Sequence, residues 1–113
     1  MPPTIRETMT TDLKTKALFD LAKAYAYDYM DSINQRPVFP DEEAISRLDA
    51  FDEPLPEDPQ SGEEILKILH KVGSPATVAQ TGGRYFGFVN GGVIPASLAA
   101  RWLSDTWDQN AAL

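Results

Sequence analysis

Gly82-Gly83-Arg84-Tyr85-Phe86-Gly87-Phe88-Val89-Asn90-Gly91-Gly92 runs through Val93-Ile94 into Pro95 and a small-residue segment that reaches Trp107. Glycines and aromatics share one turn-rich loop placed just before a helix N-terminus. Such a loop lets backbone N–H groups approach a ligand closely while aromatic rings wall it in. Pro95 suits the first turn of the helix, where the missing N–H has no partner to lose. Leu98, Ala99, Trp102, Leu103 and Thr106 then share a face, and Ala96, Ala99 and Ala100 keep this helix thin.

Upstream of the loop, Ser61-Gly62-Glu63-Glu64 has the Ser-x-x-Glu spacing of a capping box. Ile65, Leu66, Ile68, Leu69 and Val72 follow as an amphipathic helix, with Gly73 as the expected stop and Pro75 beyond it. Asp52-Glu53-Pro54-Leu55-Pro56-Glu57-Asp58-Pro59 reads as an extended, solvated connector. Before it, Asp41-Glu42-Glu43 supplies anionic side chains suited to a helix N-terminus, with Ala44, Ile45, Leu48 and Phe51 as the apolar face. Leu18, Leu21, Ala22, Tyr25, Tyr29 and Ile33 predict a first helix from Thr11 or Asp12 to about Asn34, where Pro37 and Pro40 block continuation. Residues 1–10 read as a loose arm. The segment is therefore expected to be all-α, with four helices, no strand of convincing length and no internal repeat. Long Pro-rich and Gly-rich connectors between few helices are poor material for a compact bundle. The expectation is a segment that lies along another surface and, by itself, is molten or self-associated.

Composition narrows the function classes. A net charge of −7 argues against broad contact with a phosphate backbone, so no nucleic-acid partner is expected. Zero cysteines exclude disulfides and thiolate chemistry and fit a reducing compartment. The first dozen residues are polar and Thr-rich with no apolar signal-peptide core, and no apolar run approaches membrane-spanning length. The expectation is a soluble, acidic, cytoplasmic polypeptide with no membrane partner.

Candidate chemistry is sparse. The single histidine, His70, precedes Lys71, a pairing that often accompanies a cofactor-binding lysine in pyridoxal-phosphate enzymes. Both fall near the C-terminal turn of a predicted helix, where the helix dipole alone favours positive side chains. The acidic residues between Asp41 and Asp58 have no histidine or cysteine among them and lack the spacing of a calcium loop, so no metal site is expected. One histidine gives no hydrolytic triad. Tyr25 and Tyr29 fit a packing stripe, while Tyr27 points elsewhere. The loop at 82–92 matches neither the dinucleotide fingerprint nor a phosphate loop. A structural turn feeding a helix is the simpler reading of its pattern. The functional alternative uses Asn90 as a side-chain donor, Gly91 and Gly92 as exposed backbone N–H groups, and Phe88 with Val89 as an apolar wall. That set suits a carboxylate-bearing small molecule.

Arg84-Tyr85-Phe86-Gly87-Phe88-Val89-Asn90-Gly91-Gly92, Pro95-Ala96-Ser97-Leu98-Ala99-Ala100-Arg101-Trp102-Leu103 and Trp107-Asp108-Gln109-Asn110-Ala111-Ala112-Leu113 closely resemble the N-terminal region of the pyridoxal-phosphate-dependent decarboxylases. That group contains the aromatic-L-amino-acid, glutamate and tyrosine decarboxylases. Arg36-Pro37-Val38, Leu55-Pro56 and Gly73-Ser74-Pro75-Ala76 look like the same region in the same order, so the likeness extends from about residue 13 onward. One departure is Gly82-Gly83, where family members commonly have His-Pro.

The resemblance implies that residues 1–113 are the N-terminal helical segment of a longer fold-type-I enzyme, α/β as a whole, cut before the cofactor domain. It implies a homodimer with this arm packed across the partner subunit and the Asn110–Leu113 end near the interface. Pyridoxal 5'-phosphate would be bound by the downstream domain, and no catalytic or cofactor-binding residue is assigned to this segment. The implied reaction is decarboxylation of an L-amino acid to an amine. Phe88, Val89 and Asn90 align without gaps with residues that contact substrate in glutamate-decarboxylase-like members, and Gly91 and Gly92 follow them. The resemblance thus makes these five the substrate-side residues. The alternatives are another amino-acid reaction on the same cofactor, or a stand-alone helical interaction module without catalysis.

Overall fold

The computed structural model describes residues 1–89 and 91–110. Among them the chain is all-α, with no strand. The first helix, α1 (Ile5–Lys14), lies where a loose arm was expected. Thr4-x-x-Glu7 explains the difference: the Glu7 amide donates to the Thr4 hydroxyl at 3.1 Å, and the Thr4 amide donates to the Glu7 carboxylate at 2.8 Å. This reciprocal cap satisfies donors that a helix start otherwise leaves open.

The expected single helix from Thr11 is instead broken at Thr15, which is extended (φ −82°, ψ 109°) and whose hydroxyl turns back to the Thr11 carbonyl. A β-branched residue able to bond its own preceding turn is a plain cause of such a break. Helix α2 (Lys16–Asp31) follows and ends before Asn34, where the Ser32 hydroxyl donates to the Asp28 carbonyl at 2.8 Å. Splitting the first helix makes five α-helices among the described residues rather than four.

Asp41 caps α3 (Glu42–Ser46) by accepting from the Ala44 amide at 2.8 Å, and a 3-10 turn, Arg47–Phe51, carries the apolar face onward. The proline-rich connector after Phe51 has no regular structure up to the Ser61 cap of α4 (Gly62–Ile68). The Ser61 hydroxyl accepts from the Glu64 amide at 3.1 Å. Gly73 does not stop this helix. The chain widens into a π turn over Leu69–Gly73, stays right-handed at Gly73 (φ −74°), and tightens to a 3-10 turn over Ser74–Ala76. The missing side chain at Gly73 makes room for packing: a Cβ there would lie 3.3 Å from Leu69 Cδ1 and 3.8 Å from Phe51 Cζ. Pro95 begins α5 (Pro95–Trp107) as expected, and Asp108 closes it in the left-handed conformation.

Helix α2 packs on α4, and the π turn packs on the Arg47–Phe51 turn. A second set of ties joins residues 33–39 to residues 79–85. The Ala79 amide donates to the Val38 carbonyl at 2.8 Å, and Phe39 meets the Tyr85 ring edge-on at 5.9 Å. The Arg84 guanidinium donates to the carbonyls of Ile33 (2.8 Å) and Arg36. Little of this frame is enclosed: Ala44, Ala79 and Tyr85 are the buried residues among those described. The radius of gyration is 17.2 Å, against about 13 Å for a compact domain of this length. No helix is long and apolar enough to cross a membrane.

Candidate functional site

The loop that dominates the sequence divides into an anchored half and a projecting half. Gly82 is pressed against Ile33, where a Cβ would lie 2.8 Å from Cγ1. Tyr85 is buried beneath Phe39, and Gly87 sits under its hydroxyl, 2.6 Å from where a Cβ would stand. Beyond Tyr85 the chain turns outward. Phe86, Phe88 and Val89 are 89%, 91% and 104% exposed. Phe88 and Val89 both take left-handed backbone angles, φ 50° and φ 60°. For a bulky residue followed by a β-branched one this is strain of about 1–2 kcal/mol per residue. Asn90 lies outside the described residues. Gly91 stands in open space, and Gly92 adopts φ 82°, a conformation that glycine takes without a Cβ penalty. Among the described residues, Phe88 and Val89 are not part of the lining of the recess between α2, α4 and α5.

One recess among the described residues lies between α2, α4 with its π turn, and the first turns of α5. It is open, has a volume of about 570 Å³, and is walled mainly by apolar side chains, among them Tyr25, Met30, Leu66, Leu69, Leu98 and Trp102. Thr81 and Val93, which flank the loop, reach it.

Polar groups at the margin are largely committed to one another. The Thr77 hydroxyl donates to the Ser74 carbonyl at 2.8 Å, so the Tyr29 hydroxyl, 2.8 Å from the same oxygen, is the donor of that pair. Arg36 lies over the Tyr29 ring, 4.1 Å from its centre, and donates to the Ser74 hydroxyl at 2.8 Å. His70 stacks face to face on Tyr25, with Nε2 3.9 Å from an Asp28 carboxylate oxygen, beyond hydrogen-bond reach. With its walls mainly apolar, the recess suits an apolar side-chain surface rather than a charged ligand.

Sequence reasoning assigned His70 to the helix dipole and the tyrosines to packing. It did not place them together. The signal was present in the spacing of Tyr25 with Tyr29, and of Leu66 with Leu69 and Gly73, which puts two apolar stripes on facing helices. What the sequence did not carry was the π turn that brings His70 onto Tyr25.

His70 is stacked on Tyr25, and α5 opens with a proline, whose nitrogen carries no hydrogen. Among the described residues no group of acidic or histidine side chains is placed to hold a metal ion. On the outer face of α4, the hydrogen bond from Lys67 to Glu63 (3.1 Å) raises the Lys67 pKa above its ordinary value of 10.5. No protein-family model, curated protein or solved structure matches the chain.

Proposed function

We propose that this chain is the N-terminal helical arm of a pyridoxal-phosphate-dependent amino-acid decarboxylase. In this reading the arm contributes dimer contacts and one wall of the substrate cleft, and the cofactor is held by residues outside these 113. The observation that carries the reading is the mismatch between ordered helices and missing core. Every helix but α2 and α5 has a cap hydrogen bond to a side chain at its N-terminus, yet few residues are enclosed. Such a segment gains stability by covering something else. The resemblance of residues 84–113 to the decarboxylases supplies the identity of that something.

The projecting half of the loop supports the same reading. Phe88 and Val89 are strained and fully exposed, and strain of this kind is retained where the surrounding structure over-determines it. A substrate cleft completed by another part of the enzyme provides such surroundings. The test is to read the native transcript past the codon for Leu113. An open frame leading to a cofactor lysine supports the reading, and a stop codon directly after Leu113 removes it in favour of a non-catalytic interaction module.

A further inference from the structure

Arg84 is the only charged side chain between Lys71 and Arg101. In a loop read as the wall of an amino-acid cleft, a lone guanidinium is the obvious partner for a substrate carboxylate. Its geometry gives it a different task. A single nitrogen, Nη2, donates to the Ile33 carbonyl at 2.8 Å and to the Arg36 carbonyl as well.

The sequence explains why those two oxygens take a donor from so far along the chain. In a helix the carbonyl of residue i accepts from the amide of residue i+4. Continued past Asp31, α2 would pair the Ile33 carbonyl with residue 37 and the Arg36 carbonyl with residue 40. Both are prolines, which have no amide hydrogen. Arg84 supplies the missing donor at both places, and it brings a cation to the end of the helix where the dipole is negative. The neighbouring contacts converge on the same segment: Gly82 packs on Ile33, and Tyr85 lies against Phe39. Phe86, Phe88 and Val89 follow within a few residues and are fully exposed, so the place where they stand depends on this clamp.

We propose that Arg84 is a positioning residue. It closes the C-terminal end of α2 and thereby holds Phe88 and Val89 as the cleft wall, without touching the substrate, whose carboxylate is bound by other groups. The proposal rests on the reading of the chain as a decarboxylase arm and names what sets its wall.

The test uses the native gene product purified with pyridoxal phosphate, beside Arg84→Met and Arg84→Lys. Arg84 is exposed, so neither substitution touches the core. Because both bonds leave one nitrogen, a lysine ammonium can stand in for it. Cofactor absorbance is recorded, KM and kcat are measured with the proteinogenic L-amino acids, and amide hydrogen exchange is followed over residues 33–39 and 79–89. In Arg84→Met the expected result is a KM raised about tenfold, with kcat and cofactor absorbance within about twofold of native. Exchange should quicken over both segments, and Arg84→Lys should recover most of each change. An unchanged KM in Arg84→Met overturns the proposal and leaves the arm reading standing. A raised KM with unchanged exchange over residues 33–39 makes Arg84 a substrate contact and overturns it as well. A native product that turns over none of the amino acids overturns the arm reading and the proposal together.

Discussion

The imidazole of His70 lies flat on the phenol ring of Tyr25, with ring centres 3.8 Å apart and planes 5° from parallel. This stack ties α2 to the π turn that follows α4, and it borders the recess. It depends on the turn: a π turn accommodates one more residue per hydrogen-bonded ring than an α turn, which changes the direction of the side chains within it.

Replacing His70 with alanine is expected to lower stability by about 1–2 kcal/mol, the stacking energy plus part of the lost burial. His70→Phe, which keeps a flat ring, should recover at least half. Urea midpoints followed by circular dichroism check both. Equal midpoints for wild type and His70→Ala would show that the stack is incidental.

Gly82 and Gly83 are neighbours with opposite tolerance. A Cβ on Gly82 would meet Ile33 Cγ1 at 2.8 Å, whereas one on Gly83 would meet nothing within 4 Å. Gly82→Ala is expected to destabilise by about 1–3 kcal/mol through overpacking. Gly83→Ala should be neutral or slightly stabilising. Thermal melts of the two variants side by side decide the point. The close packing on Ile33 also gives a local reason for glycine at position 82, where the resembling family commonly has histidine.

Helix α1 has no buried residue, so its persistence in the free chain depends on its cap. Thr4→Ala should cost about 1 kcal/mol of local stability. For a helix this short that is enough to unwind much of it. Amide hydrogen exchange would show faster exchange over residues 5–14, with residues 62–73 unchanged. Uniform loss of protection across the chain would contradict this local dependence.

The Lys67–Glu63 pair has a defined sign. A lysine raised on folding contributes stability that is fully present below its unfolded value of 10.5 and is lost as pH rises through the folded value. Both side chains are exposed, so salt screens the pair. Lys67→Met should therefore leave the urea midpoint unchanged at neutral pH in high salt, and should remove any salt dependence that arises from this pair. A large midpoint shift in high salt would mean that the lysine stem packs rather than pairs.

The sequence was most readable where a local rule operates alone. Asp41, Ser61 and Pro95 mark helix starts through their own chemistry, and the structure has helices beginning beside each. The connector after Phe51 was equally plain from its prolines. The same rule was overlooked at Thr4 and Glu7, which have the spacing of a capping box but sit in a segment read as an arm for its polarity. Thr15 and Gly73 were misjudged for a different reason. Apolar periodicity continues through Thr15, so a single hydroxyl bond decided against it. Gly73 looked like a terminator because glycine favours one, yet its missing side chain leaves space that Leu69 fills.

The candidate loop was legible as unusual, but not as divided. Its anchored half depends on Ile33 and Phe39, distant in sequence and close only after folding. The recess was illegible for the same reason, since it exists only once α2, α4 and α5 are placed.

The most direct measurement is the release of carbon dioxide from L-amino acids by the native gene product, purified with pyridoxal phosphate, alongside its Asn90→Ala variant. The account predicts amine formation with the native product, and a raised KM or lowered turnover in the variant. A native product that neither binds the cofactor nor decarboxylates any amino acid would contradict it.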